Sequence, residues 1–139
     1  MADPDIIGLK ELGDKLDLLS ENVQKKHVRT AIKPASEVFR RAVRAKAPVR
    51  DDQYAKDKNK RKPRYLKRHI GRWIKPEKDG GLSAFVGPTP SAYYGRFVEL
   101  GTGHQSAHPF MRPAYDEKKD EAEKTFADTL EVEIDKDLK

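Results

Sequence analysis

His104 and His108 lie four residues apart with Glu99 close by, and two imidazoles plus a carboxylate are the donor set of a catalytic zinc site. That spacing serves a metal best on one helical face, where residues i and i+4 stack. Here Gly101, Gly103 and Pro109 surround the pair and predict a loop, so ordinary hydrogen-bonding loop histidines are the simpler expectation. The chain has no cysteine, which removes thiol nucleophiles, thiolate metal sites and disulfides. Ser83, Ser91 and Ser106 lack the glycine-flanked context of a nucleophile elbow. No glycine-rich phosphate loop or dinucleotide fingerprint occurs, and no two carboxylates are placed as a matched acid and base. These residues predict no enzymatic activity, no metal and no cofactor, with a hydrolase built on Glu99, His104 and His108 as the catalytic alternative.

The other chemistry in the chain is electrostatic. Lys56, Lys58, Lys60, Arg61, Lys62, Arg64, Lys67 and Arg68 form a dense basic run beside Tyr54 and Tyr65. Cations next to aromatic rings suit phosphate contact and base stacking. No helix-turn-helix, zinc finger or RNP signature accompanies them, so the run equally suits an acidic protein surface or plain solvation. The net charge of +6 conceals a partition of −4 over residues 1–24, +15 over 25–78 and −5 over 79–139. Such a chain can attract a polyanion, or seat the acidic part of one copy beside the basic part of another. With 139 residues, 36% apolar and 37% charged, it fits one domain, 1–139, with a modest core and support from neighbours. There is no apolar run of 18 residues, and the acidic start Met1-Ala2-Asp3-Pro4-Asp5 is unlike a secretory signal, so the expectation is cytoplasmic synthesis without a membrane span.

The elements follow from periodicity. Ile7, Leu12, Leu16, Leu19 and Val23 predict a short amphipathic helix over 6–19. Ser20 then caps a longer helix with Val23, Val28, Ala31, Ile32, Ala35, Val38, Phe39, Ala42 and Val43 on its apolar side. Pro34 either kinks or restarts that helix, and Pro48 ends it. Its other side crowds Lys25, Lys26, Arg29, Lys33, Arg40, Arg41 and Arg44, read first as a solvated face and otherwise as a surface for an anionic partner. Residues 49–64 read as a basic loop, mobile when free, and Pro63 opens a turn that aligns Leu66 with Ile70. The period then changes to two, predicting a hairpin of strands around Ile70–Ile74 and Leu82–Val86 joined by Asp79-Gly80-Gly81. Tyr93, Phe97 and Leu100, at i, i+4 and i+7, predict a short helix closed by Gly101 in a left-handed position. After a loop to Pro109, Pro113 begins a last helix with Ala114, Ala122, Phe126, Leu130 and Ile134 inward. The fold class expected is α+β: long N-terminal helices and a C-terminal helix on a short antiparallel sheet.

The block Tyr94-Gly95-Arg96-Phe97-Val98-Glu99-Leu100-Gly101-Thr102-Gly103, followed by Ala107-His108-Pro109-Phe110-Met111-Arg112-Pro113-Ala114, resembles the head-to-tail joining, or tail-completion, neck proteins of lambdoid siphophages. Ala47-Pro48 closing the long helix and the Leu66, Ile70 turn match the same family in order, so the resemblance covers roughly residues 8 to 126. It implies a virion protein without enzymatic activity, assembled as a ring between the capsid connector and the tail. The implied partners are further copies of the chain, with a ring of six expected, head-closure or connector proteins, tail terminator or tail-tube proteins, and phage DNA passing through the lumen. Carried across, Phe97 and Phe110 are expected as core anchors, Glu99 as partner of a backbone amide or of Arg112, and Gly101 as a position closed to a Cβ. Thr102, Pro109 and Pro113 belong to the same motifs. The stretch from Arg50 to Tyr65 replaces a shorter link in the family, so the resemblance says nothing of what the basic run touches. From a different class, a stand-alone nucleic-acid-binding module using residues 25–78 stays open.

Overall fold

The longest apolar stripe of the N-terminal half builds the longest early helix. The computed structural model describes residues 8–48, 65–104 and 106–138. In it α2 (Glu21–Lys46) runs through Pro34 without restarting and stops short of Pro48. The helix before it, α1 (Leu9–Asp17), follows Gly8, which has a left-handed backbone at φ 93°, and ends two residues before the stripe suggests. The single turn α3 (Tyr65–Arg68) leads into strands β1 (Ile70–Pro76) and β2 (Leu82–Pro88), which pair as a two-stranded antiparallel sheet. A 3₁₀ turn at Pro90–Ala92 precedes α4 (Gly95–Leu100), and α5 (Met111–Leu138) closes the chain. The fold is α+β, as expected. None of the described helices is long and apolar enough to cross a membrane.

The hairpin turn is fixed by local chemistry. Glu77 N–H donates to Gly81 O at 2.8 Å, Gly80 takes φ 91°, and Asp79 Oδ1 accepts from Gly81 N–H at 3.0 Å. That pairing sets Trp73 opposite Phe85 on one face, with Lys75 Nζ 5.9 Å from the Phe85 ring centroid. A two-stranded sheet is marginal by itself, so the helices must hold it.

The described residues gather into two compact units. The first draws on residues 8–38, 73–85 and 119–138. Leu12 of α1, Ala31 of α2, and Leu130 and Ile134 of α5 form its core, with Leu16, Leu19, Val28, Phe126 and Ala127 around them. The second draws on residues 39–48, 65–72, 86–104 and 106–118. Ala42, Val43 and Ala47 of α2 meet Leu66, Ile70, Ala92, Phe110 and Ala114 there, with Val86, Tyr94, Val98 and Met111 packed against them. Phe39 stacks on Tyr115 at 5.2 Å, and Lys46 bonds Glu117 at 2.7 Å.

Two polar residues are buried along α2: Ser36, whose Oγ–H donates to Lys33 O at 2.9 Å, and His27. His27 is buried, its Nε2 2.5 Å from Asp137 Oδ2 and its Nδ1 3.8 Å from Glu133 Oε2, with no hydrogen bond to Nδ1. It therefore ties the last turns of α5 to α2 inside the first unit. Replacing His27 with alanine is expected to cost about 2 kcal/mol through a lost bond to a carboxylate and a small cavity. Hydrogen exchange should quicken in the final turns of α5; unchanged exchange there would show the bond to be idle.

Candidate functional site

The segment carrying the strongest motif is built around Glu99. The first amides of a helix lack intrahelical acceptors, and α5 begins at Met111. Glu99, presented from α4, supplies what they lack: Oε2 accepts from Phe110 N–H at 2.6 Å and Met111 N–H at 2.9 Å, and Oε1 from Arg112 N–H at 3.1 Å. A carboxylate also complements the positive end of the helix dipole. Burial alone would raise the Glu99 pKa, but the three amides and the Arg112 charge outweigh it and hold the carboxyl below its ordinary value of 4.5. Of the two partners the sequence allowed, the backbone amides take the contacts, and Arg112 assists through its charge.

Gly101 ends α4 at φ 78° and ψ 169°, its N–H donating to Phe97 O at 2.8 Å. This is not the left-handed helical conformation expected, but an extended one at positive φ that is more restrictive still, essentially confined to glycine. Thr102 Oγ1 accepts from His104 N–H at 3.2 Å, and His108 N–H donates to Val98 O at 2.8 Å. Pro109 and Pro113 are exposed on either side of Phe110, which is 2% exposed and is the core anchor expected of it.

Phe97 is not the expected core anchor. It is exposed, and so are Tyr93 and Leu100, the other members of its stripe. The cause lies on the opposite side of α4. Gly95 is buried, and a Cβ there would lie 2.6 Å from Pro88 Cγ and 2.8 Å from Leu66 Cδ1. The bare side of the helix goes in, and the aromatic side faces water. Tyr93 and Phe97 meet edge to face at 6.5 Å, and the Arg96 guanidinium covers Phe97 at 5.0 Å.

His104 and His108 have exposed side chains, and the Glu99 carboxylate is turned to the amides. Among the described residues no three His, Cys, Asp or Glu side chains are grouped to hold a metal. A cleft of about 270 Å³ in the first unit is walled by Leu16, Val28, Leu82 and the Glu21–Lys25 ion pair.

Of the basic run, Lys56, Lys58, Lys60, Arg61, Lys62 and Arg64 lie outside the described residues; Lys67 is half-buried and Arg68 exposed on α3. The basic side of α2 does more than face solvent. Arg40 Nε donates to Ile70 O at 3.1 Å and Arg44 Nε to Lys67 O at 3.2 Å, bracing the corner between α3 and β1.

Charge separates between the units. Among the described residues the first carries 11 basic and 15 acidic side chains, a net −4; the second carries 10 and 3, a net +7.

Sequence reasoning passed over His27 and Gly95. His27 falls at i+4 from Val23 and i−4 from Ala31, so a polar residue on the apolar stripe was the available signal. For Gly95 there was only its place in the motif, since the close approach it permits is a tertiary fact.

Residues 10–101 match a family model described as "Bacteriophage HK97-gp10, putative tail-component". The matched span includes Phe97, Glu99 and Gly101 and ends before Pro109. No curated protein and no solved structure matches the chain.

Proposed function

Because the chain belongs to the HK97-gp10-like family of bacteriophage tail components, we propose that it is a structural, non-enzymatic virion protein that forms a ring in the neck and completes the tail where it meets the head. The observation that carries this reading is the opposite charge of the two compact units. A negative unit of one copy next to a positive unit of another makes a head-to-tail contact, which propagates and closes if the rotation between copies allows. Exposed charges steer and register such contacts, while apolar groups supply affinity. Six copies is the number proposed, with connector and tail terminator or tail-tube proteins above and below.

The basic run of 56–68 is proposed to face either DNA in the lumen or an acidic neighbour in the neck. Reversing Lys60, Arg61 and Lys62 to glutamate is expected to leave folding unchanged and lower the yield of joined particles by at least tenfold, with unattached heads and tails accumulating. Plaque yield and electron microscopy read this directly. Normal yield would make the run dispensable, and absence of the chain from purified particles would end the structural reading. Binding of DNA by a monomer, falling steeply between low and moderate salt, would instead favour the nucleic-acid module.

A further inference from the structure

We infer that the exposed patch formed by Tyr93, just before α4, and by Arg96, Phe97 and Leu100 on its solvent face is the docking surface for the acidic second half of α5 from another copy of this chain. The inference rests on the self-assembling reading above and names the faces that meet.

Tyr93 is 59%, Phe97 38% and Leu100 78% exposed. Two aromatic rings, a leucine and an arginine in one patch have the composition of an interface centre rather than of ordinary surface. The patch is also held rigid. Gly95 lets α4 lie close against Pro88 and Leu66, and Glu99 locks its far end to the start of α5. A face ordered in advance loses little freedom when it is covered.

Charge selects the occupant. Arg96 belongs to the unit carrying net +7, so a partner face should bring carboxylates around an apolar centre. The second half of α5 has that arrangement. Val132 is 54% exposed, and Asp128, Val132 and Asp135 recur at i, i+4 and i+7, with Glu131 beside them. Within the subunit Asp137 is bonded to His27, and Glu133 accepts from Lys136 Nζ at 3.1 Å while its other oxygen lies 3.8 Å from His27. The stripe around Val132 therefore carries three acids, Asp128, Glu131 and the half-buried Asp135, against one base, Lys136, whose ammonium is bonded to Glu133; it is opposite in net sign to Arg96 and able to place its apolar side chain on the rings. Since the two faces differ, the contact is heterologous and each copy can both give and receive it.

The absence of cysteine makes the test clean. Leu100→Cys and Val132→Cys copies, each with one thiol at an exposed site, are mixed and oxidised, and the disulfides are assigned by peptide mass. The 100–132 link is expected to exceed the 100–100 and 132–132 links several-fold. Adding Arg96→Glu to the first copy should lower it about tenfold, and Asp128→Lys with Glu131→Lys in the second should restore it. Equal amounts of all three links, or indifference to Arg96→Glu, would overturn the inference. If sedimentation still showed oligomers, the ring reading would survive that failure with other faces in contact. A chain that remains monomeric and forms no 100–132 link would also overturn it, whereas the ring reading falls separately, on particles that lack the protein.

Discussion

A Gly95→Ala variant is expected to melt roughly 10 °C below the parent chain, a larger effect than one added methyl group usually has. The new Cβ would lie 2.6 Å from Pro88 Cγ, 3.1 Å from Pro88 Cβ and 2.8 Å from Leu66 Cδ1. The proline ring cannot rotate away, and Leu66, 3% exposed, has nowhere to go. Overpacking of this kind costs about 3 kcal/mol, and in a chain of this size each kcal/mol moves the midpoint by roughly 3–5 °C. The control is Gly13→Ala in α1. There a Cβ meets nothing within 4 Å, and removing a helical glycine should stabilise by about 0.5–1 kcal/mol. The same chemical change should thus have opposite signs at the two positions. An unaltered melting point for Gly95→Ala would mean that α4 does not approach Pro88 as described.

The second large effect concerns Glu99. Glu99→Gln retains the shape but loses the charge, and its amide nitrogen would confront a backbone donor, so a loss of about 2–3 kcal/mol is expected at neutral pH. The pH dependence follows from the direction of the shift. A carboxyl held below its ordinary value of 4.5 in the folded chain contributes stability that is fully present above that value. It is lost as the pH falls through the lower folded value, because the protonated acid can no longer serve three amides equally. The gap between the parent and Glu99→Gln in urea melts should therefore be widest near neutrality and should narrow below about pH 4. Glu21 and Glu117 are also lowered, by Lys25 and Lys46, but these are exposed pairs that water screens. A gap that stays constant down to pH 3 would show that the carboxylate charge is not what holds the start of α5.

Much of this architecture was readable from periodicity alone. The α2 stripe named Ala31, Ala35, Ala42 and Val43, all buried, and the alternation after Ile70 located both strands. The period of Tyr93, Phe97 and Leu100 correctly marked a helix but not its orientation, because amphipathicity identifies a face without saying whether a core or a partner covers it. A glycine on the far side decided the matter, and its effect depends on Pro88 and Leu66, remote or separated in sequence. For the candidate site, the motif identified Glu99 and Gly101, yet the choice between an amide and Arg112 needed the start of α5 in three dimensions. Of the helix predicted over 6–19, residues 6 and 7 lie outside the described residues; the rest runs from Leu9, after the positive φ of Gly8, to Asp17, two residues short of the predicted end. The densest cations, Lys56 to Arg64, carry no periodic pattern that could have assigned them a place.

Where α5 starts is decided by a side chain reaching across from α4, so the peptide between Gly101 and Pro109 is relieved of that duty. Lengthening such a connection costs only a slowly rising, logarithmic entropy. Extra residues grafted there should leave both anchored helices in register, which makes this bend the natural location for an affinity tag or a fluorescent label.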